Sequence, residues 1–328
     1  MAGGAKRLAL IGDVGGTHCR LAVTHASPAG APPITGERTY RCDAFAGFED
    51  AAAAYLRGAG LEVSEAVIAV AGPVADESVA MTNCPWRISA RAVSRALGLE
   101  RCRLINDFEA LAHALPALRR GDVLPLGGPA DPIPESNMAV MGAGTGFGTA
   151  ALVRNAGRQA VLVAEGGHMA FAAGDVLETE VRRRIAARTD GYVQVEHILS
   201  GPGLMNLHRA LCEIEGQSPS FETPDAITEA ADAGDARARA VTDLFVKVFG
   251  AVAGDLALAL GARSGVFIAG GVSQRVLSAR NADVFRARFE AKGEFSPYVV
   301  AIPTQLITHE QPGLLGAACA LSELAPAD

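Results

Sequence analysis

The chain has 328 residues, 49% hydrophobic and 20% charged, with a formal net charge of −7. This composition supplies a large buried core and excludes disorder, and the negative balance excludes a basic face for nucleic acid or anionic lipid. Only three lysines occur, Lys6, Lys247 and Lys292, none in a glycine-rich segment, so a lysine-bearing phosphate loop is excluded as well.

The length predicts two domains. The first apolar run enters a glycine turn instead of a cleavage site, and no uncharged stretch reaches the ~18 apolar residues of a membrane span, so a cytoplasmic protein is expected. Six cysteines, at 19, 42, 84, 102, 212 and 319, make no C-x-x-C pair and suit small buried thiols in a reducing compartment. Strands are predicted over 7–12, 19–24 and 66–71 and a helix over 89–97.

The segment "RLINDFEALAHAL" (103–115) then reads as a strand passing at once into a helix with Phe108 and Leu111 on its inner face. Asn106 and Glu109 have the spacing of an N-cap and capping box, and Asp107 falls in the first turn. Two readings of Asp107 stand at this point: a helix-start carboxylate, or a carboxylate placed at a strand end to accept a proton from a substrate. Five prolines between 116 and 134 then mark a domain boundary, and the class is mixed α/β.

Beyond the boundary the pattern restarts. "LALIGDVGGTHCRLAV" (8–23) and "MAVMGAGTGFGTAALV" (138–153) each run from an apolar strand through a glycine turn into a second strand, as expected of a duplicated unit. In the turns Gly12, Asp13, Val14, Gly15, Gly16, Thr17 and Gly142, Gly144, Thr145, Gly146, missing side chains let backbone N–H groups gather around an anion, and the two threonines add hydroxyls. Phosphate is the expected guest. A dinucleotide fingerprint is excluded, because Phe147 holds the sixth position and a strand follows. Asp13 either shapes its turn or, beside a nucleotide, holds the water shell of Mg²⁺.

In "AEGGHMAF", Glu165 and His168 share a tight glycine loop, which argues against the helical metal motifs and suits recognition of sugar hydroxyls. Glu196 precedes a helix capped by Ser200 or Gly201 with Pro202 near its first position, and its default reading is a solvated charge. In "SGVFIAGGVSQRV" (264–276), Gly270 and Gly271 follow an apolar strand and precede a helix. They form either a packing turn or a place where a nucleoside approaches the backbone.

The segments "LIGDVGGTHCRLA", "INDFEALAHAL", "MGAGTGFGTA", "EGGHMAFA", "EHILSGPGLMNLHRAL", "GVFIAGGVSQR" and "THEQPGLLGAACAL" resemble, in that order and over nearly the whole chain, the signatures of the bacterial ATP-dependent glucokinases. The resemblance implies an α/β fold of two RNase H-like domains, of the actin/hexokinase type, flanking a central cleft. The small domain would comprise 1–117 plus about 308–328, with an amphipathic helix over 313–324, and the large domain 118–307. The implied reaction is transfer of the γ-phosphoryl group of MgATP to the 6-hydroxyl of D-glucose, the entry to glycolysis. ATP and Mg²⁺ are then the cofactors, glucose and ATP the small-molecule partners, and a homodimer the expected assembly.

Residue by residue, the resemblance makes Asp107 the general base and a sugar ligand, with Asn106, Glu165, His168 and Glu196 binding further hydroxyls. Gly12 to Thr17 and Gly142 to Gly148 become the phosphate hairpins and Gly270-Gly271 the adenosine site. Cap and base are then compatible, with the helix start expected to favour the anionic form of Asp107. His18 and Cys19 stand where small or polar residues are usual, and Phe147 where a leucine is. The zinc-binding cysteine cluster of the ROK-type sugar kinases is missing, which points to the zinc-free group. The alternatives are a kinase of another hexose or amino sugar on the same fold, or a non-catalytic sugar or nucleotide sensor.

Overall fold

The computed structural model describes residues 8–25, 32–81 and 84–324; Lys6 and the start of the 7–12 strand at Arg7 lie outside them. Met1–Arg119 together with His309–Asp328 forms one compact unit, and Arg120–Thr308 forms the other.

In the first unit β1 (Leu8–Val14), β2 (His18–His25) and β3 (Ile34–Arg41) make an antiparallel meander. α1 (Phe48–Ala59) leads to β4 (Glu65–Val70), parallel to β1. A small hairpin of β5 (Ser78–Ala80) and β6 (Arg87–Ser89) and then α2 (Ala90–Leu97) precede β7 (Arg101–Asn106), parallel to β4, which runs directly into α3 (Asp107–Ala114). The sheet order is β3-β2-β1-β4-β7. Strand alternation sorts the side chains: Leu10, Leu21 and Ile68 bury with Phe48 and Tyr55 of α1, while Ala9, Ile11, Val67 and Ile105 form a second core on the other face. Covered on both faces, β4 is buried along its whole length, which is why it reads as an unbroken apolar run from Ala66 to Val70.

The second unit repeats this plan. After β8 (Val123–Gly127), the strands β9 (Met138–Ala143), β10 (Phe147–Asn155) and β11 (Arg158–Ala164) form another antiparallel meander. The helices α4 (Val176–Ala186), α5 (Gly201–Ile214), α6 (Pro224–Asp232) and α7 (Ala236–Leu260) follow. β12 (Gly265–Ala269) then joins β9 in parallel, and α8 (Gly271–Val276), α9 (Ala282–Glu290) and α10 (Ser296–Val300) lead to β13 (Thr304–Ile307), parallel to β12. The order β11-β10-β9-β12-β13-β8 matches the first sheet with one strand added. That added strand carries Pro125 on the sheet edge, where a residue without an N–H is tolerated. Phe147, Phe245, Phe249, Phe285 and Phe289 stack through one contiguous core.

The chain returns to the first unit as α11 (Pro312–Ala320), ended by a 3₁₀ turn over Leu321–Leu324. The expected amphipathic character is absent: Gly313 to Ala318 and Ala320 are all buried, because the helix lies between the sheet and α3. Its small residues allow this. A β-carbon at Gly316 would strike the carbonyl oxygen of Ala110 in α3. Among the described residues no helix is long and apolar enough to cross a membrane.

Candidate active site

In the first unit the chemistry sits at the C-terminal ends of β1 and β7. Gly12 faces inward, where a β-carbon would press within 3.1 Å of Ile68, so this glycine is needed for packing. Val14 is fully buried, which leaves only its backbone for a ligand. Gly15 donates its N–H to the His18 carbonyl at 2.9 Å to close the hairpin, with Thr17 and His18 exposed at the tip and Cys19 buried behind it. Asp13 points to the opposite face from Gly12. Its carboxylate accepts a hydrogen bond from Arg20 Nη1 at 3.2 Å across the hairpin. Burial raises the Asp13 pKa, and the Arg20 guanidinium opposes that rise.

At the β7–α3 junction Asn106 is a complete N-cap. Its Oδ1 accepts from the N–H groups of Phe108 and Glu109, the Glu109 carboxylate accepts from the Asn106 N–H, and Asn106 Nδ2 donates to the Gly72 carbonyl at 3.0 Å. Leu111 is buried as expected, while Phe108 is half-buried. Asp107 accepts from the Phe108 N–H at 3.0 Å.

The expected bias of Asp107 toward its anion is outweighed. Burial pushes its pKa up to about 6, the Phe108 N–H pulls it back, and the neighbouring Asp13 charge adds to the rise. Only β4 separates the strands that carry the two carboxylates. A carboxylate with a pKa near 6 is ionised at neutral pH and still basic enough to take a proton in a transition state.

In the second unit the hairpin between β9 and β10 is a backbone surface. Gly142 packs so tightly on β12 that a β-carbon would collide with the Ala269 carbonyl oxygen, and one at Gly270 would collide with that of Ala143. Gly270 also has φ of 92°, open to glycine and few others. In contrast, a β-carbon at Gly144 or Gly271 would meet nothing within 4 Å, so those are the positions where a ligand can approach the chain. Thr145, next to Gly144, is exposed. The hairpin is tied down from outside. Ala143 N–H donates to Ser273 Oγ at 2.9 Å, and Gly201 N–H at the start of α5 donates to the Gly144 carbonyl at 2.8 Å.

Glu196 differs from its default reading as a solvated charge. It is half-buried, and its Oε2 accepts from the Phe147 N–H at 2.7 Å, in space left by the missing side chain of Gly146. Ser200 caps α5 by accepting from the Gly203 N–H and donates its own hydroxyl to the Glu196 carbonyl. Glu165 and His168 lie exposed on a 3₁₀ turn, 3.8 Å apart, with His168 Nδ1 2.9 Å from Gln194 Oε1 and the Tyr192 hydroxyl on the His168 carbonyl. The turn and the Glu196 segment are joined by the Ala170–Gln194 bridge, which sets Glu165, His168 and Glu196 on neighbouring segments.

Arg20, Ser273, Gln194 and Gly313 belong to these sites and went unread in the sequence. Arg20 had a signal, since hairpin register sets it opposite Asp13. Gln194 and Gly313 had none, because each acts on a segment remote in sequence. Among the described residues no group of three or more His, Cys, Asp or Glu is arranged to hold a metal ion.

Comparison with known proteins agrees along the whole chain. The glucokinase family profile matches residues 10–324. A glucokinase of Caulobacter sp. strain K31 is 43% identical over 316 residues, covering 96% of this chain and 95% of that protein. The crystal structure of a glucokinase from an Antarctic psychrotroph superposes with a TM-score of 0.89 at 34% identity, covering 97% and 99% of the two chains. A ROK-family glucokinase of Streptomyces griseus, solved with glucose and AMPPNP, shares the fold at 21% identity and a TM-score of 0.61, covering 97% and 100%.

Proposed function

The chain belongs to the glucokinase family, and from that premise we propose that it transfers the γ-phosphoryl group of ATP to the 6-hydroxyl of D-glucose, with Asp107 as the general base. The observation that carries this reading is Asp107 itself: held at a strand end by a complete cap, stripped of much of its water, and brought to a pKa of about 6. Phosphoryl transfer asks the protein mainly for positioning and charge stabilisation. Asp107 accepts the hydroxyl proton as the sugar oxygen attacks, a contribution of roughly 10²–10⁴-fold.

Asn106 keeps one amide hydrogen beyond its bond to Gly72 for a sugar hydroxyl, and Glu165, His168 and Glu196 supply further hydroxyl partners. The open backbone at Gly144 and Gly271, with Gly15, Thr17 and Thr145, receives the nucleotide, and Gly12, Gly142 and Gly270 allow the chain to pack close enough to present it. The Asp13 carboxylate, a hard oxygen donor with a second carboxylate in its field, fits Mg²⁺ held through water. Bound there, Mg²⁺ supplies charge neutralisation to the phosphate oxygens. The six free cysteines support a reducing cytoplasm, and the family resemblance supports a homodimer, which light scattering reads directly.

The test is ADP release across a sugar panel with MgATP and identification of the product. Glucose 6-phosphate should form, with fructose far slower, since a mismatched sugar leaves polar groups unpaired. Comparable turnover of fructose, or glucose binding without ADP release, would reject the proposal.

A further inference from the structure

The Asp13 carboxylate is confined from two sides. On β1 it shares the face of Ala9 and Ile11, the face covered by α11. A β-carbon at Gly313, in the first turn of α11, would lie 2.7 Å from the Asp13 carboxyl carbon and 2.9 and 3.0 Å from its two oxygens. On the other side stands Arg20, donating to Oδ2. α11 has no room to retreat, because Leu314, Ala317 and Ala318 are buried in the sheet core and Gly316 sits against the Ala110 carbonyl. A side chain at position 313 therefore moves the carboxylate, not the helix.

We propose that Gly313 is a positioning residue for Asp13: by omitting a side chain it lets the first turn of α11 close over the carboxylate and sets where that carboxylate stands toward the magnesium nucleotide. The positive end of the helix also favours the charge it covers. The proposal rests on the nucleotide reading of the β1–β2 hairpin and adds to it the return segment, some 300 positions away in the sequence. A purely packing glycine would act on stability alone.

The experiment measures MgADP affinity and glucose affinity separately by calorimetry, with melting temperature, on the full chain. Gly313→Ala should weaken MgADP binding by roughly tenfold, the scale of a sub-ångström misplacement, while glucose affinity stays near wild type. Gly316→Ala, which meets α3 instead of Asp13, should lower the melting temperature and leave MgADP affinity of the folded protein unchanged. In an Asp13→Ala background the Gly313→Ala change should cost no further MgADP affinity.

Unchanged MgADP binding in Gly313→Ala, or an equal loss with and without Asp13, overturns the proposal. Should Gly313→Ala fail to fold, the double variant has the space to fold, and its failure as well overturns the assignment of the clash to Asp13. Wild-type protein that binds MgADP without phosphorylating glucose would remove the functional reading while leaving the Gly313 comparison intact.

Discussion

The two glycine hairpins share one topology and are equipped differently. In the first unit the hairpin carries its own charge, Asp13 against Arg20, with a second carboxylate at Asp107. In the second it carries no charge in the turn. Its N–H and C=O groups are fixed by Ser273, Gly201 and Glu196, which arrive from other segments, and Gly142 together with Gly270 beyond β12 lets β9 and β12 close together. The difference teaches that a repeated fold supplies the frame, and that each copy is then equipped differently: one gathers carboxylates and a guanidinium near its hairpin, the other leaves a bare backbone turn held by distant groups.

The sharpest break of this comparison is Asp107→Asn. The amide keeps the size and still accepts from the Phe108 N–H, yet cannot take a proton, so kcat should fall by at least about 10²-fold while glucose binding persists. Turnover within a few-fold of wild type would return Asp107 to a purely structural place in the first turn of α3.

Next come the glycines of the second hairpin and of the β12–α8 junction beside it. Gly142→Ala and Gly270→Ala each meet a backbone oxygen and should cost about 1–3 kcal/mol or more in denaturant unfolding. Gly144→Ala meets nothing and should stay within about 0.5 kcal/mol of wild type while raising the KM for ATP. Equal stability losses at 142 and 144 would contradict the division into packing and approach positions.

Glu196→Gln should raise the KM for ATP as well as that for glucose by a few-fold to about tenfold, because the weaker acceptor loosens the Phe147 N–H and with it the hairpin. An effect on glucose alone would make Glu196 a sugar ligand only.

A subtler test uses pH. With Asp107 near pKa 6, log(kcat/KM) should fall with unit slope below about pH 6. Stability runs the other way. A folded-state pKa raised above the unfolded value means that the folded protein binds the proton more tightly, so the ionised carboxylate destabilises above pH 6 and that burden is relieved as pH falls from about 6 to 4. Asp107→Asn should accordingly melt about 2 °C or more above wild type at pH 8, with the gap closing toward pH 4. Phe147→Leu, which shortens a buried ring packed on Phe249, should cost about 1–2 kcal/mol in denaturant unfolding.

Much of this was legible in the residues. Apolar runs placed β1, β2 and β4, the Asn106–Glu109 spacing gave the cap, and the paired glycine turns foretold a duplicated strand–turn–strand unit. Three readings were not legible. The run after Pro312 looks amphipathic but is enclosed, Glu196 looks solvated but holds a backbone N–H, and the helix start at Asp107 suggests a stabilised anion where burial prevails.

The sequence by itself determined the elements, their caps and the places where a backbone is bare, because these follow from dihedral preference, strand alternation and hydrogen bonds reaching only a few residues. Tertiary structure alone decided which carboxylate is dehydrated and which glycine spares a collision. It also decided which side chains secure the second hairpin. Those properties depend on desolvation and on contacts such as Glu196 with Phe147 and Ser273 with Ala143, 49 and 130 residues apart, and no local pattern carries that information.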